Sequence, residues 1–270
     1  MIEPDKRTEE DLGVAAGVSD IGRRHQRNED AMAVRCVVDG SGRPVLIGVV
    51  CDGVSTTVRP EDASRAAADT AADTLADAAR SGTDHGVATR AAILAAATAV
   101  AGLAPPGGPA DAPSCTYVSA MVADGTVTTG WVGDSRAYWL AREGAAALTE
   151  DDSWAAEMVA RGALTPAEAA ANPLGHALTA WLGADASKVS ARITSFTPGG
   201  PGAVLVCTDG LWNYVPDAAA LTALALPDAI DDPLRAASRL VEFALEAGGH
   251  DNTTAVLLPY PPRFVDARRR

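Results

Sequence analysis

Carboxylates recur in this sequence at the ends of its most apolar segments. Val49, Val50 and Cys51 run straight into Asp52-Gly53, Val204 to Cys207 lead to Asp209-Gly210, and Asp134 breaks the run from Thr128 to Trp139. Glu29 and Asp30 precede one apolar run, and Asp251 immediately precedes another. A single Asp-Gly is ordinarily a turn, because Asp caps its own backbone and Gly accepts positive φ. Five separate segments that deliver carboxylates to the edge of one core exceed what turns account for. Converging carboxylates repel one another unless cations neutralise them, and oxygen-only ligands select hard divalent ions such as Mg2+ or Mn2+.

The other reactive side chains have simpler readings. Ser135 follows Asp134, but without a GxSxG elbow or a histidine base it reads as a turn hydroxyl. Cys36, Cys51, Cys115 and Cys207 have no CxxC spacing and mostly sit inside apolar runs, as buried free thiols of a reducing compartment do, so zinc on thiolates is not expected. His85 and His176 read as exposed loop residues, and His250 stands next to Asp251. Trp131, Trp139 and Trp212 read as packing residues, whereas Trp154 and Trp181 are placed to face a substrate.

Bringing the carboxylates together requires strands that end at a common edge. Strand-like runs lie at Val14 to Ser19, Met32 to Val38, Val45 to Val50, Thr116 to Val122, Thr126 to Val132, Ala137 to Leu140, Ser190 to Thr194, Val204 to Cys207 and Thr253 to Leu258. Hairpin-like links such as "ADGTV" make the sheets antiparallel. Two Ala-rich helices separate the third and fourth runs. The first starts at Pro60 and places Ala63, Ala67, Thr70, Ala71, Thr74 and Ala78 on one face; the second runs from about Val87 to Leu103 and stops at the loop "APPGGPADAP". A helical region follows Asp151, with a helix start at Thr165-Pro166, and a last helix spans Asp232 to Glu246. Runs of strands separated by helical pairs predict an α+β fold, a four-layer α-β-β-α sandwich of two antiparallel sheets with a helical flap.

Composition bounds the function. With 270 residues, 47% hydrophobic and 21% charged, the chain can bury a full core. The expected division is a polar, disordered leader over 1–12, one domain over 13–259 with its flap at about 151–183, and a tail over 260–270 ending in Arg268 to Arg270. A net charge of -13 argues against nucleic acid or an anionic membrane as partner. Neither a signal peptide nor a membrane-spanning run is read, so the expected location is the cytoplasm.

The segments "SDIGRRHQRNEDA", "VVCDGVS", "GWVGDSRAYWL", "LTEDDSWAAEMVARGALTPAEA", "VLVCTDGLW" and "GGHDNTTAVLL" resemble, in order and spacing, the metal-dependent protein phosphatases of the PPM type, also called type 2C. The likeness runs from about Gly13 to Pro259. It implies a sandwich fold and hydrolysis of phosphoserine and phosphothreonine in proteins by two Mn2+ or Mg2+ ions. By the same resemblance Asp52 bridges the ions, the Gly53 carbonyl holds the second, and Asp209 and Asp251 hold the first, so that Asp52, Asp209 and Asp251 carry catalysis. Glu29 acts on the second ion, directly or through water, and Asp134 belongs to a third, looser site. The physical need is only for divalent ions that acidify a water and for groups that take up charge on the phosphoryl oxygens. Partners implied are phosphorylated proteins and an opposing Ser/Thr kinase, with a monomer as the expected state.

Departures from the pattern bear on function. Where the family carries a phosphate-gripping arginine this chain has His25, with Arg24 and Arg27 beside it, leaving three candidates for substrate binding. After Asp52-Gly53 come Val54-Ser55-Thr56-Thr57 in place of Met-Gly-Gly, which stiffens the loop. Two other classes of function stay open on the residues: a docking module that binds metal without turnover, and a hydrolase of small phosphorylated metabolites.

Overall fold

The computed structural model describes residues 6–105, 108, 112–123, 125–186 and 189–264. Among these the chain forms two antiparallel sheets laid face to face. One contains β1 (Arg7–Asp11), β2 (Ala16–Asp20), β8 (Arg136–Leu140), β9 (Ala146–Ala147), β12 (Gly202–Cys207) and β13 (Thr253–Tyr260), in the order β1-β2-β13-β12-β8-β9. The other contains β3 (Asp30–Val38), β4 (Pro44–Asp52), β6 (Tyr117–Ala123), β7 (Thr126–Val132) and β11 (Arg192–Phe196), in the order β11-β7-β6-β4-β3. A short pair, β5 (Ser114–Cys115) with β10 (Leu182–Gly183), stands apart from both.

Period-two alternation divides the core into three layers, because successive strand residues face opposite sides. Val204, Val206, Val256 and Leu258 meet Leu46, Val50, Val118 and Val122 between the sheets. The alternate residues Leu205, Cys207, Ala255 and Leu257 pack under α6 (Ala218–Ala229) and α7 (Pro233–Glu246). Ile47, Val49, Cys51 and Met121 pack under α1 (Pro60–Arg80) and α2 (His85–Ala101). This is the α-β-β-α sandwich expected. Gly48 lies on the inter-sheet face, where an added Cβ would stand 2.9 Å from Val256 Cγ1 and 3.2 Å from Leu258 Cδ1. Its lack of a side chain is what lets β4 approach β13 so closely.

Several elements differ from expectation, each for a physical reason. Residues 7–11, assigned to a disordered leader, form β1 and pair with β2 from Arg7↔Asp20 to Asp11↔Ala16, so a polar segment is ordered by edge pairing without burying an apolar face. The first five residues of that leader, part of the loop at 104–113, and the Arg-rich tail lie outside the described residues. Helix α1 buries Ala63, Ala67, Ala68, Ala71, Ala72, Leu75 and Ala76, a face rotated away from Thr70, Thr74 and Ala78. His85 opens α2 instead of lying in a loop, next to the cap in which Asp84 accepts from the Val87 N–H at 3.0 Å. Helix α6 was not legible as a helix, although Asp217 caps it by accepting from the Ala220 N–H at 2.9 Å.

One backbone position stands out. Arg59, the residue before Pro60 at the start of α1, has φ 52 and ψ 54 and makes no side-chain cap. A left-handed conformation costs a residue with a Cβ about 1–2 kcal/mol, and glycine escapes that cost. The exposed Arg59–Asp62 ion pair at 3.0 Å offsets little of it. Arg59→Gly is therefore expected to raise the melting temperature by a few degrees in a thermal scan, and a lowered one would show that the side chain itself holds the loop.

Candidate metal centre

Antiparallel pairing places the acidic residues at one end of the sandwich. In the five-stranded sheet, β3 begins where β4 ends, and the register sets Asp30 directly opposite Asp52. Both continue the inter-sheet face of their strands, since Cys51 points the other way into the helix-covered layer. In the six-stranded sheet, β12 ends beside the start of β13 and of β8, with Cys207 opposite Ala255 and Arg136. Asp209, first residue of α5 (Asp209–Trp212), Asp251 and Asp134 leave from that same end.

Asp30 is 5% exposed, and its Oδ2 accepts from Thr208 Oγ1 at 2.9 Å and Thr254 Oγ1 at 2.7 Å. Its Oδ1 is buried with no hydrogen-bond partner. Burial first, then the charges of Asp209 and Asp251, outweigh those hydroxyls and push its pKa up to about 7. Asp52 is raised well above the carboxylate range by burial and by the charges of Asp30, Asp209, Asp134 and Asp251, so all four of those carboxylates act on it. Asp134, 7% exposed, is pushed up to about 8 by burial and then by Asp209 and Asp151. Asp209 rises to about 6 through burial and Asp251, opposed by the charge of His176 and by hydrogen bonds from Asp52 and Asn213.

Glu29, beside Asp30, accepts from Ser55 Oγ at 2.6 Å, and its carbonyl accepts from the Gly53 N–H at 3.1 Å. Asn252 ties the neighbouring loop together: its Oδ1 accepts from the Glu29 N–H at 2.7 Å, while its Nδ2 donates to the carbonyls of Ile21 and Arg27. His25 Nε2 stands 3.1 Å from Asp251 Oδ1, and Arg27 is paired with Glu61 at 2.9 Å. Arg24 is exposed and has no ion pair among the described residues.

The donor set suits hard cations: it is all oxygen, it is crowded with like charge, and it holds an orphaned buried carboxylate oxygen. Among the described residues no three His, Cys, Asp or Glu side chains form a ready cage, so ions held here would complete their shells with water and backbone oxygens. Sequence reasoning grouped Asp30 with Glu29 but assigned a role only to Glu29; the burial of Asp30 follows from its register with Asp52. Asn252 and Asp152 were also missed. His176, read as a loop residue, is exposed yet near enough for its charge to act on Asp209. Ser135 lies in the link between β7 and β8, as a turn hydroxyl would, but is 1% exposed and shares a 2.7 Å hydrogen bond with Thr116 Oγ1, so it is a buried support. Trp131, Trp139 and Trp212 are buried as expected.

The raised carboxylates fix a pH dependence for the metal-free protein. Above pH 8 Asp30 and Asp134 are charged in both folded and unfolded chains, and the fold bears their full repulsion. As pH falls through about 8 and 7 the folded groups take up protons that the unfolded chain does not bind until near 3.8, so stability rises. In EDTA, the melting temperature is expected to be higher at pH 5.5 than at pH 8.5, with Mn2+ restoring the loss at pH 8.5. A melting temperature that falls steadily over the same interval would contradict the crowding of these groups.

This double sandwich with an acidic end defines a class: its architecture is that of the bacterial PPM phosphatases. The catalytic domain of the serine threonine protein phosphatase PstP, in complex with two manganese ions, matches with a TM-score of 0.72 and 25% identity over 93% of this chain and 97% of that one. The PPM Ser-Thr phosphatase MsPP from Mycobacterium smegmatis, in complex with cacodylate, matches with a TM-score of 0.67 and 29% identity over 90% and 97%. Residues 17–240 match Protein phosphatase 2C, and the chain belongs to that family. In sequence it is 33% identical over 126 residues to the serine/threonine protein phosphatase PstP of Mycobacterium tuberculosis, covering 47% of this chain and 23% of that protein. It is 31% identical over 144 residues to the serine/threonine phosphatase stp of Listeria innocua, covering 53% and 55%. The chain thus spans about a quarter to a half of the length of these relatives.

Proposed function

We propose that this chain hydrolyses phosphoserine and phosphothreonine in proteins, using Mn2+ or Mg2+ at the acidic end of its sandwich. The observation that carries this is the mutual charge of Asp30, Asp52, Asp134, Asp209 and Asp251, gathered from both sheets. Asp52, Asp209, Asp251 and the Gly53 carbonyl would hold two core ions, with Glu29 beside them and Asp134 holding a third. Such ions supply Lewis acidity, which acidifies a water and neutralises charge on the phosphoryl oxygens.

The chain's own groups do the positioning. Thr208 and Thr254 fix Asp30 through its Oδ2, which leaves its buried Oδ1 without a hydrogen-bond partner. Ser19 and Asn28 extend that hydroxyl line toward the loop carrying His25, with contacts of 2.7 and 2.8 Å. His25 is engaged with Asp251 and Arg27 with Glu61, so of the three candidates Arg24 is the one without an ion pair among the described residues and the one we assign to pairing with a phosphoryl group. The partners would be phosphoproteins and an opposing Ser/Thr kinase, and the working form a monomer. Free cysteines support a cytoplasmic setting, and no helix among the described residues is long and apolar enough to cross a membrane.

A docking module without turnover is the second reading, favoured by the engagement of His25 with Asp251. Turnover of a phosphothreonine peptide against sugar phosphates, in EDTA and after adding Mn2+, decides among these. The expected result is peptide hydrolysis abolished by EDTA and restored by Mn2+. Undiminished hydrolysis in EDTA would sink the metal reading; a preference for sugar phosphates would overturn the substrate class; calorimetric Mn2+ binding with no turnover would favour the docking module.

A further inference from the structure

Asp134 is gripped from both sides by residues that carry no part in the function proposed above. On its N-terminal side, the Gly133 N–H donates to Asp152 Oδ2 at 3.0 Å, and the Asp152 N–H donates to the Gly133 carbonyl at 2.9 Å. On its C-terminal side, the Asp134 carbonyl accepts from Trp212 Nε1 at 2.9 Å. Asp152 is the second residue of the expected flap, 151–183, which carries α3 (Trp154–Ala160) and α4 (Pro166–Ala170), and Trp212 ends the helical turn that Asp209 begins.

Two arginines hold these supports in place, one from each sheet. Arg136, on β8, binds Asp151 through Nε and Nη2 at 2.8 Å each and lies 3.6 Å over the Trp212 ring. Arg192, on β11, donates to Asp152 Oδ1 at 3.0 Å and to Glu150 Oε2 at 2.6 Å, and lies 5.0 Å from the centre of the Trp131 ring. The carboxylates of Asp151 and Asp152 are 13% and 14% exposed, so both contacts are shielded, and the one between Arg136 and Asp151 is also two-point, of a kind worth more than surface pairs. The far end of the flap joins the same knot, since the Thr179 N–H donates to the Asp152 carbonyl at 2.8 Å.

We infer that Asp152, Arg136 and Trp212 are positioning residues for Asp134, so that seating the base of the flap and presenting the Asp134 carboxylate to the centre are one event. This rests on Asp134 holding an ion. A flap stapled only for stability would need the ion pairs but not the three hydrogen bonds to the backbone of Gly133 and Asp134. Trp212→Phe separates the two, because it keeps a ring under Arg136 and removes only the N–H aimed at the Asp134 carbonyl. Asp152→Asn keeps an oxygen for the Gly133 N–H, whereas Asp152→Ala removes it.

The test uses the full chain and these three variants, with Asp134→Asn as reference. Mn2+ binding is followed by calorimetry, thermal stability is followed in parallel, and kcat and KM are measured on a phosphothreonine peptide at rising Mn2+. Asp134→Asn is expected to remove the weakest Mn2+ step. Trp212→Phe and Asp152→Ala are expected to weaken that same step about tenfold or more, as loss of outer support does at metal sites. The tighter steps should stay in place, and kcat should fall at fixed Mn2+ but recover at higher Mn2+, with KM changed by less than about twofold. Asp152→Asn should lie nearer the parent than Asp152→Ala. If Asp134→Asn removes the weak step while Trp212→Phe and Asp152→Ala leave it unchanged, the positioning role is wrong and the ion at Asp134 stands. If Asp134→Asn changes no step, the reading of Asp134 falls and the inference with it. Uniform loss of all steps together with a large drop in melting temperature would reduce these residues to structural supports; should Trp212→Phe fail to fold, the Asp152 pair still decides.

Discussion

Asp52→Asn is expected to lower turnover of a phosphothreonine peptide by more than about a hundredfold, beyond what loss of an outer partner does at a metal site. Asp52 is acted on by the charges of Asp30, Asp134, Asp209 and Asp251, so its carboxylate is the one on which the other four aspartates converge. An amide of the same shape removes the anion that would compensate the ions and leaves the packing of β4 untouched. The metal-free variant should therefore melt no lower than the parent, and at pH 8.5 it should melt higher, because one of the crowded charges is gone. Turnover within tenfold of the parent, with Mn2+ binding intact by calorimetry, would remove Asp52 from the centre.

Gly210→Ala should strongly destabilise the fold although it adds a single carbon. A Cβ there would collide with the backbone carbonyl oxygen of Asn252, and no side-chain rotation relieves a clash with backbone. Overpacking of this kind costs up to about 3 kcal/mol. The disturbance would also spread, because Asn252 holds Glu29, Ile21 and Arg27 through its side chain and adjoins Asp251. Urea unfolding would read the loss as a lowered midpoint, and Mn2+ affinity should fall with it. A midpoint unchanged within error would mean that the Asp209 turn and the Asp251 loop have slack that their packing does not suggest.

Much of the site was legible because its logic is local. An Asp set abruptly against an apolar run marks a strand delivering a carboxylate to a sheet edge: Asp52 and Asp209 follow such runs, Asp134 breaks one and Asp251 precedes one. Register is not local, so nothing in "RNEDAM" distinguished the buried Asp30 from Glu29; only the pairing of Asp30 with Asp52 does so. The same holds for Asp152 and Gly133, 19 residues apart. Helix α6 was hidden for another reason: its Ala/Leu run has no clear 3.6-residue period, and Pro227 lies inside it where a breaker would be read. The role expected of His25 was drawn from its position in a motif, and its contact with Asp251 depends on a loop that Asn252 ties down at the Arg27 carbonyl.

The close approach of β4 and β13 at Gly48 bears on more than packing. Asp30 and Asp52 ride on one sheet and Asp209 and Asp251 on the other, so the centre straddles a seam, and any sliding of one sheet over the other changes the spacing across it. The inter-sheet layer is then a mechanical gauge: hydrostatic pressure, or a bulkier side chain at Gly48 many residues from any carboxylate, would be registered at the far end as a change in how tightly ions are gripped. Affinity for metal, in this architecture, would then answer to shear between the sheets as well as to the ligands themselves.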